Sequence, residues 1–281
     1  VIDKPAGWTS HDVVAKLRGI LGTRKVGHSG TLDPAATGVL VVGVGRCTRL
    51  LQHLGGLPKS YAAVIALGVD TDTLDADGEV TAVHDMVPPT VEEVADAASR
   101  LTGEIDQVPP MVSAVKVGGR RLHELAREGK EVERRPRRVV VTRFDIQPTE
   151  DPLRWRALVE CSSGTYVRVL AQELGRGLGG GAHLDELRRL SVGPFTLVDA
   201  HPLSAPVLLP ASEITRVLAP VTVGPDVVAE VRHGKVLDRD HLGVGPDAVG
   251  PWAVLDEAGA LQAVYIAHRR GSVKPSVVLA L

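Results

Sequence analysis

Segments of period two and segments of period 3.6 follow one another along this chain without the regular strand–helix–strand beat of a doubly wound sheet. That irregularity predicts an α+β fold on a mixed, mainly antiparallel sheet. Ile2 to Pro5 reads as a short strand, and Thr9 or Ser10 caps a helix with Val13, Val14, Leu17, Ile20 and Leu21 on one face. Residues 22–38 form a polar, Gly-rich loop before a strand over Val39–Val44; loops of such length inside a compact domain are usually functional. Tyr61–Gly68 is the next strand, the Asp-rich segment 70–79 turns the chain, and Thr90 with Glu93 makes a capping box for a helix over 91–101. Val139–Ile146 and Leu153–Cys161 read as strands, the second with Leu153, Trp155, Ala157, Val159 and Cys161 on one face. Helices are predicted over Arg121–Glu128, closed by Gly129, then from about Val167 to Leu174, and around 184–190 after a Gly-rich turn at 179–181.

Past Ala219-Pro220 the pattern changes to short Val-rich strands, Val227–Val231, Trp252–Leu255, Leu261–Ala267 and Ser276–Leu279, separated by Gly, Pro and Asp. This predicts a main domain over 1–219, in which residues 111–138 carry a basic stretch, and a small β-rich domain over 220–281. About 60 residues is marginal for independent stability, so that tail is expected to pack on its neighbour.

Composition removes several classes of function. The longest apolar run, Tyr61 to Leu67, stops at Gly68, which is far short of a membrane span. Cys47 and Cys161 lie far apart, outside any CxxC or Cys/His cluster, so reduced, buried thiols in a cytoplasmic protein are expected rather than a zinc site or a disulfide. The chain opens on Val1-Ile2 without Met, already strand-like, so part of a natural N-terminus is expected to precede it. No basic-then-apolar signal segment is visible. Net charge is only −2, but it is segregated. Residues 70–106 hold eleven acids against one base, and residues 116–143 hold ten bases against four acids. A basic stretch beside an acidic one can steer a polyanion onto one face.

Two apparent motifs fail. Aligning Gly78 to the invariant glycine of a calcium loop puts Thr73 and His84 where Asp and Glu are required. Gly43-Val44-Gly45 lacks the third glycine of a dinucleotide fingerprint and the Lys-Ser/Thr of a P-loop. Gly27-His28-Ser29-Gly30-Thr31-Leu32-Asp33-Pro34 is more informative. A single carboxylate stands among glycines, before a proline that keeps Asp33 out of the helical region. A lone Asp on a rigid loop suits nucleophilic or electrostatic work better than paired-carboxylate hydrolysis.

The ordered set VIDKP (1–5), GHSGTLDPAATGVL (27–40), KSY (59–61), TDTLDADG (71–78), QVPPMVSAVKVGGRRLHELAREG (107–129), CSSGTYVRVLAQELG (161–175) and GAHLDELRRLSVG (181–193) closely resembles the bacterial TruB-type tRNA pseudouridine synthases. The resemblance spans residue 1 to about 219, and the tail resembles the small PUA RNA-binding domain that follows in that family. It implies isomerisation of uridine to pseudouridine at position 55 of the tRNA T-loop, with the base flipped out of its stack. No cofactor, metal or guide RNA is implied. Asp33 matches the essential aspartate, acting as nucleophile or as base, and Arg168 matches the arginine that keeps it ionised. Tyr61 matches the tyrosine that stacks on the target base, Tyr166 lines the same pocket or packs beneath it, and His28 matches the histidine that stacks into the T-loop. The basic segment 116–143 matches the family's RNA-gripping insertion, placed at about 111–138, and Lys4, Lys116, Arg120, Arg121, Arg127, Lys130, Arg134, Arg135, Arg137 and Arg138 are the basic candidates for RNA contact. The implied partner is the T-arm of tRNA, met by a cytoplasmic monomer with no membrane and no obligate protein partner.

Overall fold

The computed structural model describes residues 1–113, 116–117, 119–121, 128, 132–269 and 271–279, with the backbone alone for 116, 117 and 121. The chain forms two compact units drawn from alternating segments. The first comprises Val1–Val13, Gly30–Val41 and Gly55–Leu203; the second comprises Val14–Ser29, Val42–Leu54 and Ser204–Leu281. The boundary expected at 219 falls inside the last segment of the second unit.

The first unit is built on a nine-stranded sheet: β1 (Ile2–Lys4), β2 (Thr37–Leu40), β3 (Lys59–Leu67), β4 (Gly103–Gln107), β5 (Arg137–Pro148), β6 (Arg154–Cys161), β7 (Ala182–Val192), β8 (Phe195–Thr196) and β9 (His201–Pro202). The order is β9-β1-β2-β7-β3-β6-β5-β4, with β8 pairing β7. β1 with β9 and β2 with β7 are parallel; the other pairs are antiparallel, so the sheet is mixed as expected. Alternation does the sorting at its centre. Tyr61, Ala63, Ile65 and Leu67 of β3 and Trp155, Ala157, Val159 and Cys161 of β6 are all buried in one apolar cluster. Two helices complete that cluster, α1 (Val91–Arg100) through Val94, Ala97 and Ala98, and α2 (Val167–Gly177) through Leu170, Ala171 and Leu174. Each fully buried Leu or Ile here adds about 1.5–3 kcal/mol.

Local chemistry explains both helices. Thr90 Oγ1 accepts from the Glu93 amide at 3.3 Å while the Glu93 carboxylate accepts from the Thr90 amide at 2.7 Å, the capping box the sequence predicts. α2 is buried on nearly every side, and its approach to β7 requires Gly175, where a Cβ would stand 2.5 Å from Ala182 Cβ. A helix so enclosed turns even a cationic side chain, Arg168, into the interior.

Four expectations are corrected. Residues 184–190 belong to strand β7, whose register shifts at Leu184/Glu186 and at Arg189/Ser191. These bulges break the period of two, so Leu184, Leu187 and Leu190 fall at a spacing of three that mimics a helix. Loop 22–38 contains a strand, Val26–His28, paired with Val42–Val44 in the second unit. The strand expected over Val39–Val44 is therefore two strands, one in each unit, and a 3₁₀ helix over Gly45–His53 folds back over Gly43, where a Cβ would stand 2.8 Å from the Cys47 carbonyl oxygen. Val227–Val231 lies in a helix, Pro225–Arg232, where Pro225 opens the first turn and Val228 and Val231 point inward one turn apart.

The rest of the second unit is built on a five-stranded sheet ordered Ala219–Thr222, Trp252–Leu255, Leu261–Ala267, Ser272–Val278, Leu237–Asp238. Trp252, Val254, Tyr265 and Val273 fill its core, and Tyr265 Oη donates to the Lys235 carbonyl at 2.8 Å. The 3₁₀ helix belongs to the same unit, with Arg46 Nη1 donating to the Leu279 carbonyl at 3.1 Å. Cys161 is buried and Cys47 half-buried, both free thiols. No helix among the described residues is long and apolar enough to cross a membrane.

Candidate active site

Asp33 projects from a loop pinned immediately on both sides. Leu32 is buried, with its amide donating to Ser10 Oγ at 2.8 Å and its carbonyl accepting from the same hydroxyl at 3.2 Å. The Pro34 carbonyl accepts from Lys4 Nζ at 3.0 Å and from the Gly7 amide at 2.9 Å. With its neighbours held, Asp33 has little backbone freedom, and its carboxylate meets Arg168, Nη2 to Oδ2 at 3.0 Å.

Arg168 is the hub of the site. Only 3% of its surface is exposed. Nη1 donates to the Thr73 carbonyl at 2.7 Å and Nη2 to the Val112 carbonyl at 2.8 Å, and Asp75 Oδ2 lies 3.4 Å from Nη1. A guanidinium so enclosed by acceptors has one orientation. Asp75 is oriented in turn by Thr73 Oγ1, which donates to its Oδ1 at 2.5 Å. The segment docks on β7 through Ala76 N to Leu184 O and Leu184 N to Leu74 O, both 3.0 Å. Leu74 takes a left-handed φ of 64°, a strained conformation for a side chain of its size.

Electrostatics set the charge of the carboxylate. Burial pushes the Asp33 carboxyl up from the ordinary aspartate range and Asp75 pushes it further, while Arg168 and Lys4 pull it back. Its side chain keeps 39% of its surface open, enough to meet a substrate. Lys4, expected among the RNA contacts, has no exposed surface. Its ammonium donates to the carbonyls of Pro5, Trp8 and Pro34 at 2.9, 2.5 and 3.0 Å, and burial brings it down to about 8.

Tyr61 stands on β3 in the cluster that also buries Leu32, with 7% of its surface exposed. Burial raises its phenol, Asp33 raises it further, and the guanidinium of Arg189 opposes both. Tyr166 precedes α2 and is half-buried; the buried Gln107 amide accepts from its backbone N–H at 2.9 Å and donates to its carbonyl at 3.3 Å. A cleft of about 520 Å³ opens at Asp33, Asp75 and Arg168, with Arg156 and Arg188 also in its walls. Arg188 is braced by Asp3 Oδ2 at 2.7 Å and Thr37 Oγ1 at 3.2 Å. His28 belongs to the second unit, at the end of its strand, opposite Val42.

The structure thus gathers Asp33, Arg168, Lys4 and Tyr61 in one neighbourhood. The sequence offered no separate role for Asp75 and Thr73, although the failed calcium loop flagged that Asp-rich segment. It also passed over Arg189, which lay in a stretch read as helical.

In the basic insertion, Lys116–Val117 pairs antiparallel with Arg120–Arg121. The side chains of Lys116 and Arg121, most of the helix expected over Arg121–Glu128, Arg127 and Lys130 lie outside the described residues. Arg120 is exposed and ion-paired with Glu128. Arg134 Nη1 donates to the Pro109 carbonyl at 3.2 Å, and Arg138 reaches Glu104 at 3.2 Å and Asp106 at 3.4 Å. Arg135 and Arg137 are exposed.

Comparison with known proteins places this geometry. Residues 18–167 match the TruB family pseudouridylate synthase N-terminal domain. A tRNA pseudouridine synthase B from Arthrobacter sp. (strain FB24) is 43% identical over 293 aligned positions, covering 100% of this chain and 95% of the relative. One from Rhodococcus jostii (strain RHA1) is 45% identical, covering 99% and 92%, and one from Corynebacterium aurimucosum is 54% identical, covering 73% and 70%. Among solved structures, a chain of a Cbf5-Nop10-Gar1 complex matches with a TM-score of 0.74 and 28% identity, over 96% of this chain and 78% of that one. A chain of an H/ACA RNP bound to a substrate RNA containing 2'-deoxyuridine shares the fold, with a TM-score of 0.73 at 24% identity over 98% and 82%. A sheet that presents one clamped aspartate at a cleft, with this sequence kinship across its whole length, makes the chain a member of the TruB family of pseudouridylate synthases.

Proposed function

We propose that this chain converts uridine to pseudouridine at position 55 in the T-loop of tRNA, acting on free tRNA without cofactor, guide RNA or obligate protein partner, as a cytoplasmic monomer. The tRNA substrate is supported by the names of relatives that align with nearly the whole chain. The observation that carries the reading is the Asp33–Arg168 pair lining the cleft of about 520 Å³.

The reaction is an isomerisation. The N1–C1′ bond breaks, the uracil turns, a C5–C1′ bond forms, the C5 proton leaves and N1 gains a proton. Asp33 enters as a carboxylate, whether it attacks or removes a proton, and Arg168 holds both its charge and its direction. The uridine reaches Asp33 only after leaving its stack. Tyr61, beside Asp33, offers a flat surface on which stacking supplies about 1–3 kcal/mol. Tyr166 and His28 are assigned to the flipped base and the vacated loop, and the basic insertion to phosphates, where binding falls with salt.

The test is to incubate the purified chain with an unmodified tRNA transcript and map pseudouridine. Conversion at position 55 without other factors is expected; an unmodified transcript overturns the reading. The structural likeness to a chain of a Cbf5-Nop10-Gar1 complex favours one second reading, an enzyme that needs accessory factors. Conversion only after such factors are added would select it.

A further inference from the structure

Arg189 has 1% of its surface exposed and is the largest fully buried side chain among the described residues. A buried guanidinium is costly unless its donors are met. Among the described residues no carboxylate lies within ion-pair distance of it. Three of its donors go to backbone oxygens, Nε to Val39 at 2.7 Å, Nη1 to Thr31 at 3.3 Å and Nη2 to Gly30 at 3.2 Å, and the guanidinium also lies beside the Tyr61 phenol. Gly30 and Thr31 precede Asp33 and Val39 follows it, so one rigid planar group ties the two limbs of the Asp33 loop together.

The backbone of Arg189 reinforces this. In the sheet it lies opposite Gly38 of β2 on one side and Tyr61 of β3 on the other. Gly38 takes a φ of +100°, and a Cβ there would stand 2.2 Å from the Arg189 carbonyl oxygen. One residue therefore fixes three things at once: the entry of the loop, its exit, and the strand that carries Tyr61.

We propose that Arg189 is a positioning residue for the isomerisation, whose guanidinium sets the direction of Asp33 by clamping Gly30 and Thr31 to Val39 and holds Tyr61 in step with it. This rests on Asp33 acting on uridine in tRNA. In this proposal Arg189 acts through the loop and through Tyr61 rather than on the substrate. Its geometry, rather than its charge, is what the loop uses.

The test compares full-length Arg189→Lys and Arg189→Gln with the parent. Lysine keeps the charge but loses the planar fork; glutamine loses the charge but keeps a planar donor pair. Hydrogen exchange of amides 30–38 reads the loop without reference to activity. In the Lys variant it is expected to quicken about tenfold, while the amides of β3 and β6 hold their parental rates. Single-turnover pseudouridine formation on bound tRNA is expected to fall on the order of 10²-fold in the Lys variant and less in the Gln variant, with tRNA Kd within about threefold of the parent in both. Parental loop exchange in the Lys variant overturns the proposal. So does a Lys variant faster than the Gln variant, which would make charge the operative property, or a loss in rate matched by an equal loss in affinity. If the Lys variant does not fold, the Gln variant carries the same two readouts. If the parent itself makes no pseudouridine, the reading of function falls, and loop exchange alone decides the role of Arg189.

Discussion

The molecule uses cations in two opposite ways. Around Asp33 they are buried and over-determined: Arg168 meets two carboxylates and two carbonyls, Arg189 three carbonyls, and Lys4 three more. Among the described residues of the basic insertion, Arg120, Arg135, Arg137 and Arg138 are exposed, and Arg120 and Arg138 share their charge with surface acids. An exposed pair is worth about 0–1 kcal/mol and yields to salt, whereas a buried guanidinium holds one geometry. The contrast separates two jobs. The buried set surrounds the Asp33 carboxylate and the loop that carries it, and under the proposed function it fixes where that carboxylate points. The exposed set supplies a field to which members contribute additively and interchangeably.

Perturbing the buried set should give the larger effects. Asp33→Asn is expected to abolish product while tRNA affinity stays within about tenfold, roughly 1.4 kcal/mol, because binding is spread over many contacts. Measurable turnover by this variant would remove Asp33 from the chemistry and with it the contrast. Arg168→Lys comes next. It retains charge but loses the planar fork that sends Nη2 to Asp33 and Nη1 to Asp75 and Thr73, and a displacement of about 1 Å at the carboxylate costs about 10²-fold in the single-turnover rate, with Kd little changed. A Lys variant at the parental rate would place Arg168 with the interchangeable cations.

A pH profile sharpens the same distinction. Burial raises the Asp33 carboxyl, so it takes up a proton at higher pH than an ordinary aspartate, and the acid limb of the rate profile should lie above the ordinary range of about 3.9. Asp75 adds to that rise, while Arg168 and Lys4 oppose it. Asp75→Asn is therefore expected to shift the acid limb to lower pH and Arg168→Met to higher pH. Limbs that coincide in all three proteins would show that another group controls them.

The smallest effect belongs to the exposed set. Replacing Arg134, Arg135, Arg137 and Arg138 together by Gln should weaken tRNA binding and flatten its salt dependence by about 0.7–0.9 in log–log slope for each phosphate no longer neutralised. Arg138→Gln alone should change little, because Glu104 and Asp106 already hold that guanidinium. A slope that survives the fourfold change would reduce this stretch to a solvated surface.

Much of this was legible in the sequence wherever one physical rule acted alone. The alternation in Arg154–Cys161 and the Thr90–Glu93 capping box are local patterns, and both elements formed as expected. Asp33 stood out as a carboxylate among glycines, and the structure sets its predicted partner Arg168 3.0 Å away. The misses arose where tertiary contacts re-phased a local pattern. Bulges in β7 gave leucines a helical spacing, and Pro225 opened a helix where a run of valines suggested a strand. Burial of cations was the least visible feature. Nothing in the neighbourhoods of Lys4 or Arg189 distinguishes them from surface bases, since the carbonyls that hold them come from residues up to 159 positions away.

The alternation of segments between the two units also has a consequence for how the chain is made. The hydrogen bond from Arg46 to Leu279 spans 233 residues, so the early strands and the 3₁₀ helix of the second unit leave the ribosome long before the strands that complete it. At about 5–20 residues per second the wait is roughly 10–50 s. Through that interval Leu50 and Leu54, both buried in the finished protein, have no completed unit to enter, so the nascent chain is most open to aggregation and to chaperone capture before its last strand is synthesised.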